Sequence, residues 1–240
     1  MGALTDFHSH ILPEVDDGSS SIRQSLEMLR MEAEQGIRRV VATPHFYAQQ
    51  DTPERFLRRR ERSWSALRGE LENLENPPVV ELGAEVYYFS GISDSEVVSE
   101  LSIAGERSIL LEMPPAPWPD SMYREIEGIY VKRGITPIIA HVDRYIGPFR
   151  THGIPRRLAE LPVLVQSNAE FFLRRSTARM ALKMLKEDKI HLLGSDCHDL
   201  KSRAPNLGAA CDRIRKALGE EALERICSYE DMILQPGDKL

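Results

Sequence analysis

Short apolar segments, each followed by an amphipathic segment, recur along the whole chain. Most of the apolar segments are runs of valine, isoleucine and leucine with little alternation, which indicates strands buried on both faces. They predict seven strands at residues 4–8, 39–43, 79–85, 108–112, 136–141, 162–167 and 190–196. Strands that alternate with helices form parallel sheets. Because no glycine-rich dinucleotide-binding motif follows the first strand, we expect an α/β fold with a closed or distorted β/α barrel rather than an open doubly wound sheet.

The segments between the strands carry helical patterns. Ile22, Leu26, Leu29 and Ala33 form one apolar stripe at helical spacing, with serines before it and Gly36 after it. A second helix is predicted to begin at residues 51–54, where a proline suits the first turn, and to run to about residue 74. Further helices are predicted over residues 120–132, 169–186, 206–218 and 220–227.

Histidines and carboxylates gather at the predicted strand ends, where the functional groups of a β/α barrel meet. His8 and His10 end the first strand and point the same way, because they lie two residues apart. The other side chains of this kind are His45, Glu85, Glu112, His141, Asp196 and His198, together with Asp17 in the loop after the first strand. A buried glutamate at a strand end is costly unless it is paired or bound to a metal. Together these residues predict a polynuclear metal site.

The donor types indicate the chemistry of this site. Imidazole and carboxylate ligands suit manganese, iron or zinc in a hydrolytic centre and do not suit structural zinc. Bridged metals lower the pKa of a shared water, which becomes a hydroxide nucleophile at neutral pH. Arg144 and Arg203 follow two of the strand ends and suit phosphate oxygens, although each can instead form a surface salt bridge. We therefore expect metal-assisted hydrolysis, most naturally of a phosphate ester.

The order of these motifs resembles a known family, the bacterial PHP-type (polymerase and histidinol phosphatase) tyrosine phosphatases. The strongest match is the string D-F-H-S-H-I-L-P-E-V-D-D-G at residues 6–18. Later matches follow in the same order at residues 43–45, 83–88, 110–112, 140–145 and 195–200, and the resemblance covers the chain from residue 6 to residue 207 and beyond. Asp143 departs from the pattern, because glutamate is more usual there. Members of this family are manganese-dependent enzymes of capsule and exopolysaccharide operons.

The resemblance implies a single PHP domain over residues 1–240, folded as a distorted (β/α)7 barrel that holds three divalent metals, with manganese first and iron or zinc as alternatives. One metal would be held by His8, His10, Glu85 and Asp196. The second would be held by Glu85, Glu112 and His141, with Glu85 bridging, and the third by Asp17, His45 and His198. Arg144 and Arg203 would bind the phosphate. The implied substrate is the phosphotyrosine-rich tail of a bacterial tyrosine autokinase that regulates polysaccharide synthesis.

Three alternatives remain open at this point. Cys197 and Arg203 fit the C-x5-R pattern of thiol-based tyrosine phosphatases, but no glycine lies between them to form a phosphate-binding loop. The same metal site could act on histidinol phosphate or another small phosphomonoester. A degenerate regulatory module is disfavoured, because all nine ligand positions are filled.

Four aromatic residues in the loops after Glu85 and Glu112 could line the mouth of the site or could merely pack the loops: Tyr87, Tyr88, Phe89 and Trp118.

Charge and composition set the remaining limits. The net charge of −6 and a pI of about 5.7 argue against nucleic acid as the main partner. The chain has no apolar run long enough to span a membrane, and its three scattered cysteines suit a reducing cytoplasm. A basic cluster on the second predicted helix is either a solvated face or a surface that steers an anionic tail: Arg55, Arg58, Arg59, Arg60, Arg62 and Arg68. His152 and His191 match no motif and are not expected to bind metal.

Overall fold

The computed structural model describes residues 4–103, 105, 107–146 and 153–234. Along these residues, one or two short strands are followed by one or two helices, and this order repeats. The strands are β1 (Thr5–Ser9), β2 (Arg39–Ala42), β3 (His45–Phe46), β4 (Val79–Leu82), β5 (Glu85–Tyr87), β6 (Ser108–Glu112), β7 (Thr136–Ile139), β8 (Leu164–Asn168) and β9 (Leu192–Gly194). The helices are α1 (Ile22–Glu34), α2 (Pro53–Glu70), α3 (Val97–Glu100), α4 (Asp120–Arg133), α5 (Ile154–Leu158), α6 (Ala169–Leu173), α7 (Ala178–Lys186), α8 (Leu207–Leu218) and α9 (Glu220–Leu234).

Every pair of neighbouring strands among these elements is parallel. One sheet has the order β1-β2-β4 and the other has the order β3-β5-β6-β7-β8-β9. The segment after β9 returns to β1, where Asp196 N–H donates to the His8 carbonyl at 2.7 Å and His10 N–H donates to the Cys197 carbonyl at 2.9 Å. The first and last strands therefore meet. The predicted α/β fold with a parallel sheet is confirmed, and the sheet is curled.

Two predicted strands differ from those observed, because each stops early and a second short strand follows it after a break. The second stops at Ala42 and resumes at His45, and the third stops at Leu82 and resumes at Glu85. The first halves pair with each other in one sheet, and the second halves pair in the other. Gly83 lies at one break, where a Cβ atom would come within 2.7 Å of Ile103 Cγ1. The glycine therefore permits a close approach that any larger residue would prevent.

Helices are present at all the predicted places, with some differences in bounds, and α3 and α5 are short helices that the sequence did not predict. The predicted helix over residues 169–186 is two helices, α6 and α7, because Arg174 adopts an extended backbone after α6. Helix α9 continues to Leu234, well beyond residue 227. Helix α2 begins as predicted, with Thr52 accepting from Arg55 N–H and a proline in the first turn. Among the described residues, no helix has both the length and the hydrophobicity that crossing a bilayer requires.

An apolar floor fills the inside of the curled sheet. Its buried residues are Phe7, Val41, Ile103, Leu110, Ile138, Ala140, Leu164, Leu192 and Ile233. Side chains two apart on a strand share a face, so Leu110 lies below Glu112 and Leu164 lies below Gln166. The inner face is therefore apolar at the bottom and polar at the carboxyl ends of the strands.

Candidate metal centre

The structure brings all nine predicted ligand residues together at the carboxyl ends of the strands. The adjoining ends of β1 and β9 supply His8, His10 and Asp196. Glu85, the first residue of β5, faces them. The Nε2 atoms of His8 and His10 lie 3.2 Å apart. Glu85 Oε2 is 3.2 Å from His8 Nε2 and 3.4 Å from His10 Nε2, and Asp196 Oδ1 is 3.6 and 3.5 Å from the same two atoms. Four donor atoms therefore converge on one small volume.

Two further groups of donors adjoin this one. Glu85 turns its other oxygen, Oε1, to within 2.7 Å of His141 Nε2, and Glu112 Oε1 is 3.6 Å from the same nitrogen. Asp17 Oδ1 lies 3.6 Å from both His45 Nε2 and His198 Nε2. Glu85 therefore faces two groups of donors, one with each carboxylate oxygen.

Several of these donors lack a hydrogen-bond partner although they are buried. They are Glu85 Oε2, His45 Nδ1 and His198 Nε2. His45 Nδ1 approaches Glu85 Oε2 at 2.9 Å without hydrogen-bond geometry. An unsatisfied buried polar atom is expensive, and a bound cation removes that cost. The residues present therefore fit divalent metal ions.

Three of the donors, Glu85, Asp196 and His198, have ionisation states that suit metal binding. Burial opposes protonation of His8 and His10, but the carboxylates around them raise the pKa of both imidazoles above the ordinary value. Burial opposes ionisation of Glu85 and Asp196, but the surrounding histidines hold the pKa of both carboxyls well below its usual range. Burial, His10 and Arg203 lower the pKa of His198 to about 4. Ionised carboxylates and a neutral imidazole are the forms that bind a metal.

Two of the predicted ligands have unusual backbone conformations. His141 and Asp196 have positive φ angles of 32° and 54°, in a region that residues other than glycine rarely adopt. Such conformations cost about 1–3 kcal/mol each and persist where the surrounding structure enforces them. Gly194 lies directly against the site, because a Cβ atom there would stand 2.5 Å from His8 Cβ and 2.7 Å from Gln166 Nε2.

Side chains outside the predicted set hold the histidines in place. Asp16 Oδ2 accepts from His10 Nδ1 at 2.7 Å and from the His45 N–H at 2.8 Å. A carboxylate in this position fixes the tautomer and orientation of a ligating histidine. The sequence motif contains two adjacent aspartates, and only Asp17 was predicted to act.

Strand β8 carries no predicted ligand, but it supplies two amides to the centre. Gln166 Oε1 lies 3.3 Å from His8 Nδ1 and accepts from the His141 N–H at 2.6 Å. Asn168 accepts from Gln166 and donates to Asp196 Oδ2 at 2.9 Å. Neutral amides give no strong signal in a sequence, although both lie at the end of a buried strand.

The two predicted phosphate-binding arginines stand at the edge of the centre. Arg144 donates to Glu112 Oε1 at 3.1 Å and to Asp196 Oδ2 at 2.7 Å. Arg203 donates to Asp196 Oδ1 at 2.7 Å. Their side chains are 40% and 39% exposed, so both guanidinium groups can reach a ligand that enters from solvent.

Cys197 does not have the environment of a nucleophilic thiol. It is completely buried, and burial together with Asp6 and Glu32 raises the pKa of its thiol well above the ordinary value. A reactive cysteine needs a lowered pKa and access to the substrate. The C-x5-R pattern is therefore a coincidence of sequence, and the prediction against a thiol mechanism is supported.

The aromatic residues near the site divide into two kinds. Tyr88 is buried and donates its hydroxyl to Glu125, and Trp118 is buried against Tyr145. Tyr87 is partly exposed and lies beside Tyr47, which the sequence reasoning did not identify. His191 accepts from the Val165 N–H, away from the donor cluster, and His152 lies outside the described residues.

Part of the basic cluster on α2 has a structural role. Arg59 pairs with Asp51 and donates to the Val15 carbonyl, and Arg60 donates to the Gly83 carbonyl. Arg55 also pairs with Asp51. The arginines that remain fully on the solvent side are Arg58, Arg62 and Arg68.

A curled parallel sheet with a polynuclear donor cluster at its carboxyl end defines a metal-binding α/β protein. The model of the CpsB/CapC family, described as capsular polysaccharide synthesis, matches residues 4–234. The chain therefore belongs to the CpsB/CapC family.

Named relatives share nearly the whole length of this chain. The tyrosine-protein phosphatase CpsB of Streptococcus pneumoniae is 28% identical over 236 residues, covering 93% of this chain and 94% of the relative. The tyrosine-protein phosphatase YwqE of Bacillus subtilis is 26% identical over 244 residues, covering 97% and 92%. A solved chain from the work on YwqE and CpsB, described as metal-dependent tyrosine phosphatases, has a TM-score of 0.84 at 24% identity and covers 96% of this chain and 94% of its own. That structural likeness shows the shared fold.

Proposed function

We propose that this chain is a metal-dependent protein-tyrosine phosphatase, a phosphoric monoester hydrolase. The observation that carries the proposal is the convergence of nine imidazole and carboxylate side chains beside two partly exposed guanidinium groups. The tyrosine-protein phosphatases that match over more than nine-tenths of this chain support the same activity. If β2 with β3 and β4 with β5 each count as one interrupted strand, the seven strands would form a distorted (β/α)7 barrel as a single domain.

The centre would hold three divalent ions, with manganese first among the candidates. His8, His10, Glu85 and Asp196 would hold one ion. Glu85, Glu112 and His141 would hold a second, and Asp17, His45 and His198 would hold the third. When bound, such ions supply a Lewis acid and lower the pKa of a coordinated water.

The residues of the chain itself orient the substrate. Arg144 and Arg203 both reach Asp196, so they stand side by side at one edge of the centre. Each guanidinium can donate to phosphoryl oxygens and stabilise the negative charge that develops on them. Asp199 fixes the loop that carries Arg203, because its carboxylate accepts the backbone N–H groups of Lys201 and Ser202 at 2.6 and 2.7 Å.

The physiological substrate would be a phosphotyrosine protein, namely the tail of a tyrosine autokinase that regulates capsule or exopolysaccharide synthesis, encountered in the cytoplasm. The membership of the chain in a capsular polysaccharide synthesis family supports this assignment. The donor cluster itself does not distinguish tyrosine phosphate from histidinol phosphate, so the experiment must compare them.

The test is the turnover of a phosphotyrosine peptide and of histidinol phosphate by the manganese-loaded protein, repeated with Cys197→Ser. We expect preferred turnover of the peptide, and we expect the serine variant to keep most of it because the thiol is buried and protonated. Cys211→Ser is the matched control, since Cys211 is also buried but lies on α8. Loss of activity in Cys197→Ser alone, with metal content intact, would overturn the metal-based mechanism. Preferred turnover of histidinol phosphate would overturn the substrate assignment.

A further inference from the structure

Two partly exposed tyrosines, Tyr47 and Tyr87, form a wall directly above the metal centre. Strands β3 and β5 pair in parallel with His45 opposite Glu85 and Phe46 opposite Val86. Tyr47 and Tyr87 each lie two residues beyond a ligand, on the same face of the strand path as that ligand. Two residues advance a strand by about 6.6 Å, so the tyrosines form the next layer toward solvent. We call this pair the tyrosine wall.

The contacts of the tyrosine wall connect it to the centre. The ring of Tyr47 lies 5.4 Å from the His45 ring and 5.6 Å from the Tyr87 ring, measured between centroids, with an angle of 42° between the two tyrosines. On β6, Glu112 is the residue opposite Tyr87.

Core packing does not account for these rings. Their neighbours Phe46 and Val86 are 1% and 0% exposed, whereas Tyr47 and Tyr87 remain partly exposed and lie outside both clusters of core residues. Within the described part of the chain, no hydrogen bond of either tyrosine hydroxyl is found. An aromatic pair with open faces at the mouth of a polar site is suited to receive another aromatic ring.

We propose that the tyrosine wall receives the aromatic ring of the substrate and makes this site prefer aryl phosphates over alkyl phosphates. The proposal rests on the proposed phosphatase function. In a phosphotyrosine the ring is joined directly to the ester oxygen. A ring wall one residue layer above the ligands therefore meets an aryl group, whereas a short alkyl ester leaves it uncovered.

The test measures ligand binding, which does not depend on turnover. The affinities of phenylphosphonate and methylphosphonate are determined by calorimetry on manganese-loaded wild type, Tyr47→Leu, Tyr87→Leu and the two tyrosine-to-phenylalanine variants. Tyr130→Leu is the matched control, because Tyr130 is 43% exposed on α4. Metal content is measured for each protein.

We expect the wild type to bind the phenyl compound about tenfold more tightly than the methyl compound, as one well-formed aromatic contact allows. Each leucine variant should lower that ratio at least threefold, and the phenylalanine variants and Tyr130→Leu should keep it. An unchanged ratio in both leucine variants at full metal content would overturn the tyrosine wall. Turnover of a phosphotyrosine peptide is measured in parallel and tests the phosphatase function separately. If the protein turns over the peptide but does not prefer the phenyl compound, only the tyrosine wall is rejected. If it prefers the phenyl compound but does not turn over the peptide, only the phosphatase function is rejected.

Discussion

Replacing Asp16 by asparagine tests how the protein holds one of its metal-binding histidines. Asp16 uses one carboxylate oxygen for His10 Nδ1 and the His45 N–H, at 2.7 and 2.8 Å, and the other for the Gly18 N–H at 3.0 Å. Burial opposes its ionisation, yet the bond to His10 and the backbone donors lower the pKa of Asp16 far below the usual range. The carboxylate is therefore ionised and accepts the Nδ1 proton of His10, so that Nε2 is the ring nitrogen that faces Glu85 and Asp196.

An asparagine has one acceptor oxygen where the aspartate has two. If that oxygen faces His10, the amide N–H₂ group opposes the Gly18 N–H, and one hydrogen bond is lost. If the amide is reversed, its N–H₂ group opposes His10 Nδ1 and moves the histidine proton to the metal-facing Nε2. Mutating a residue that hydrogen-bonds to a ligating histidine typically lowers the metal affinity by about 10- to 100-fold, which corresponds to about 1.4–2.7 kcal/mol. We expect Asp16→Asn to weaken binding of the ion nearest His10 by that factor.

The assay is manganese binding by calorimetry, with phosphatase activity measured against metal concentration. Activity of Asp16→Asn should return toward the wild-type value in excess manganese, because the ligands themselves are intact. Glu14→Gln is the matched control, since it makes the same chemical change at an exposed position of the same loop. A manganese affinity within twofold of that of Glu14→Gln would refute the orienting role of Asp16.

Three more predictions follow from single contacts. Arg203→Lys should lower kcat/KM for a phosphotyrosine peptide at least tenfold with unchanged metal content, because an ammonium cannot reproduce the guanidinium geometry; an unchanged kcat/KM would argue against phosphate binding there. Gly194→Ala should lower the free energy of unfolding, measured with urea, by about 1–3 kcal/mol and reduce metal content, since its Cβ atom would stand 2.5 Å from His8 Cβ; wild-type stability would contradict this. Burial raises the pKa of Glu230 from 4.5 to about 8. The stability that its neutral form contributes is complete below pH 4.5 and is lost as the pH rises through about 8. In urea unfolding, the stability of wild type relative to Glu230→Gln should therefore fall by about 1.4 kcal/mol per pH unit between about pH 5.5 and pH 7, and a constant difference would refute it.

The ligands could be predicted from the sequence because burying a charged side chain at the end of an apolar strand costs free energy. Glu85 and Asp196 end predicted strands that are mostly apolar, and a buried carboxylate in that position requires a partner. The parallel-sheet prediction then brings the carboxyl ends of all strands to one place, even without knowledge of the exact bounds of each strand. These two facts account for the candidates at the strand ends, whereas Asp17 lies in the loop after the first strand.

The supporting residues could not be predicted in the same way. Asp6, a buried residue of β1, accepts the N–H groups of His8 and Ser195 and so ties β1 to the segment after β9, but its position in the strand resembles that of any ligand. Gln166 and Asn168 are uncharged, so burying them carries no comparable penalty that would mark them. The breaks in two strands depend on contacts such as that of Gly83 with Ile103, which are distant in sequence.

The tyrosine wall was likewise only partly predictable from the sequence. Tyr87 was considered for the mouth together with Tyr88 and Phe89, because all three follow Glu85. Alternation along β5 and its continuation separates them, since Tyr87 shares the ligand face and Tyr88 turns into the core. Tyr47 could have been found by applying the same two-residue spacing to His45.

The most direct test of the whole account is to count the metal and follow activity as it is removed and restored. The purified protein would be analysed for metal, treated with a chelator, assayed with a phosphotyrosine peptide and then titrated with manganese. If bound metal ions carry the reaction, activity should be lost completely on chelation and should recover as three ions bind per chain. Phosphotyrosine hydrolysis that persists in protein shown to contain no metal would contradict it.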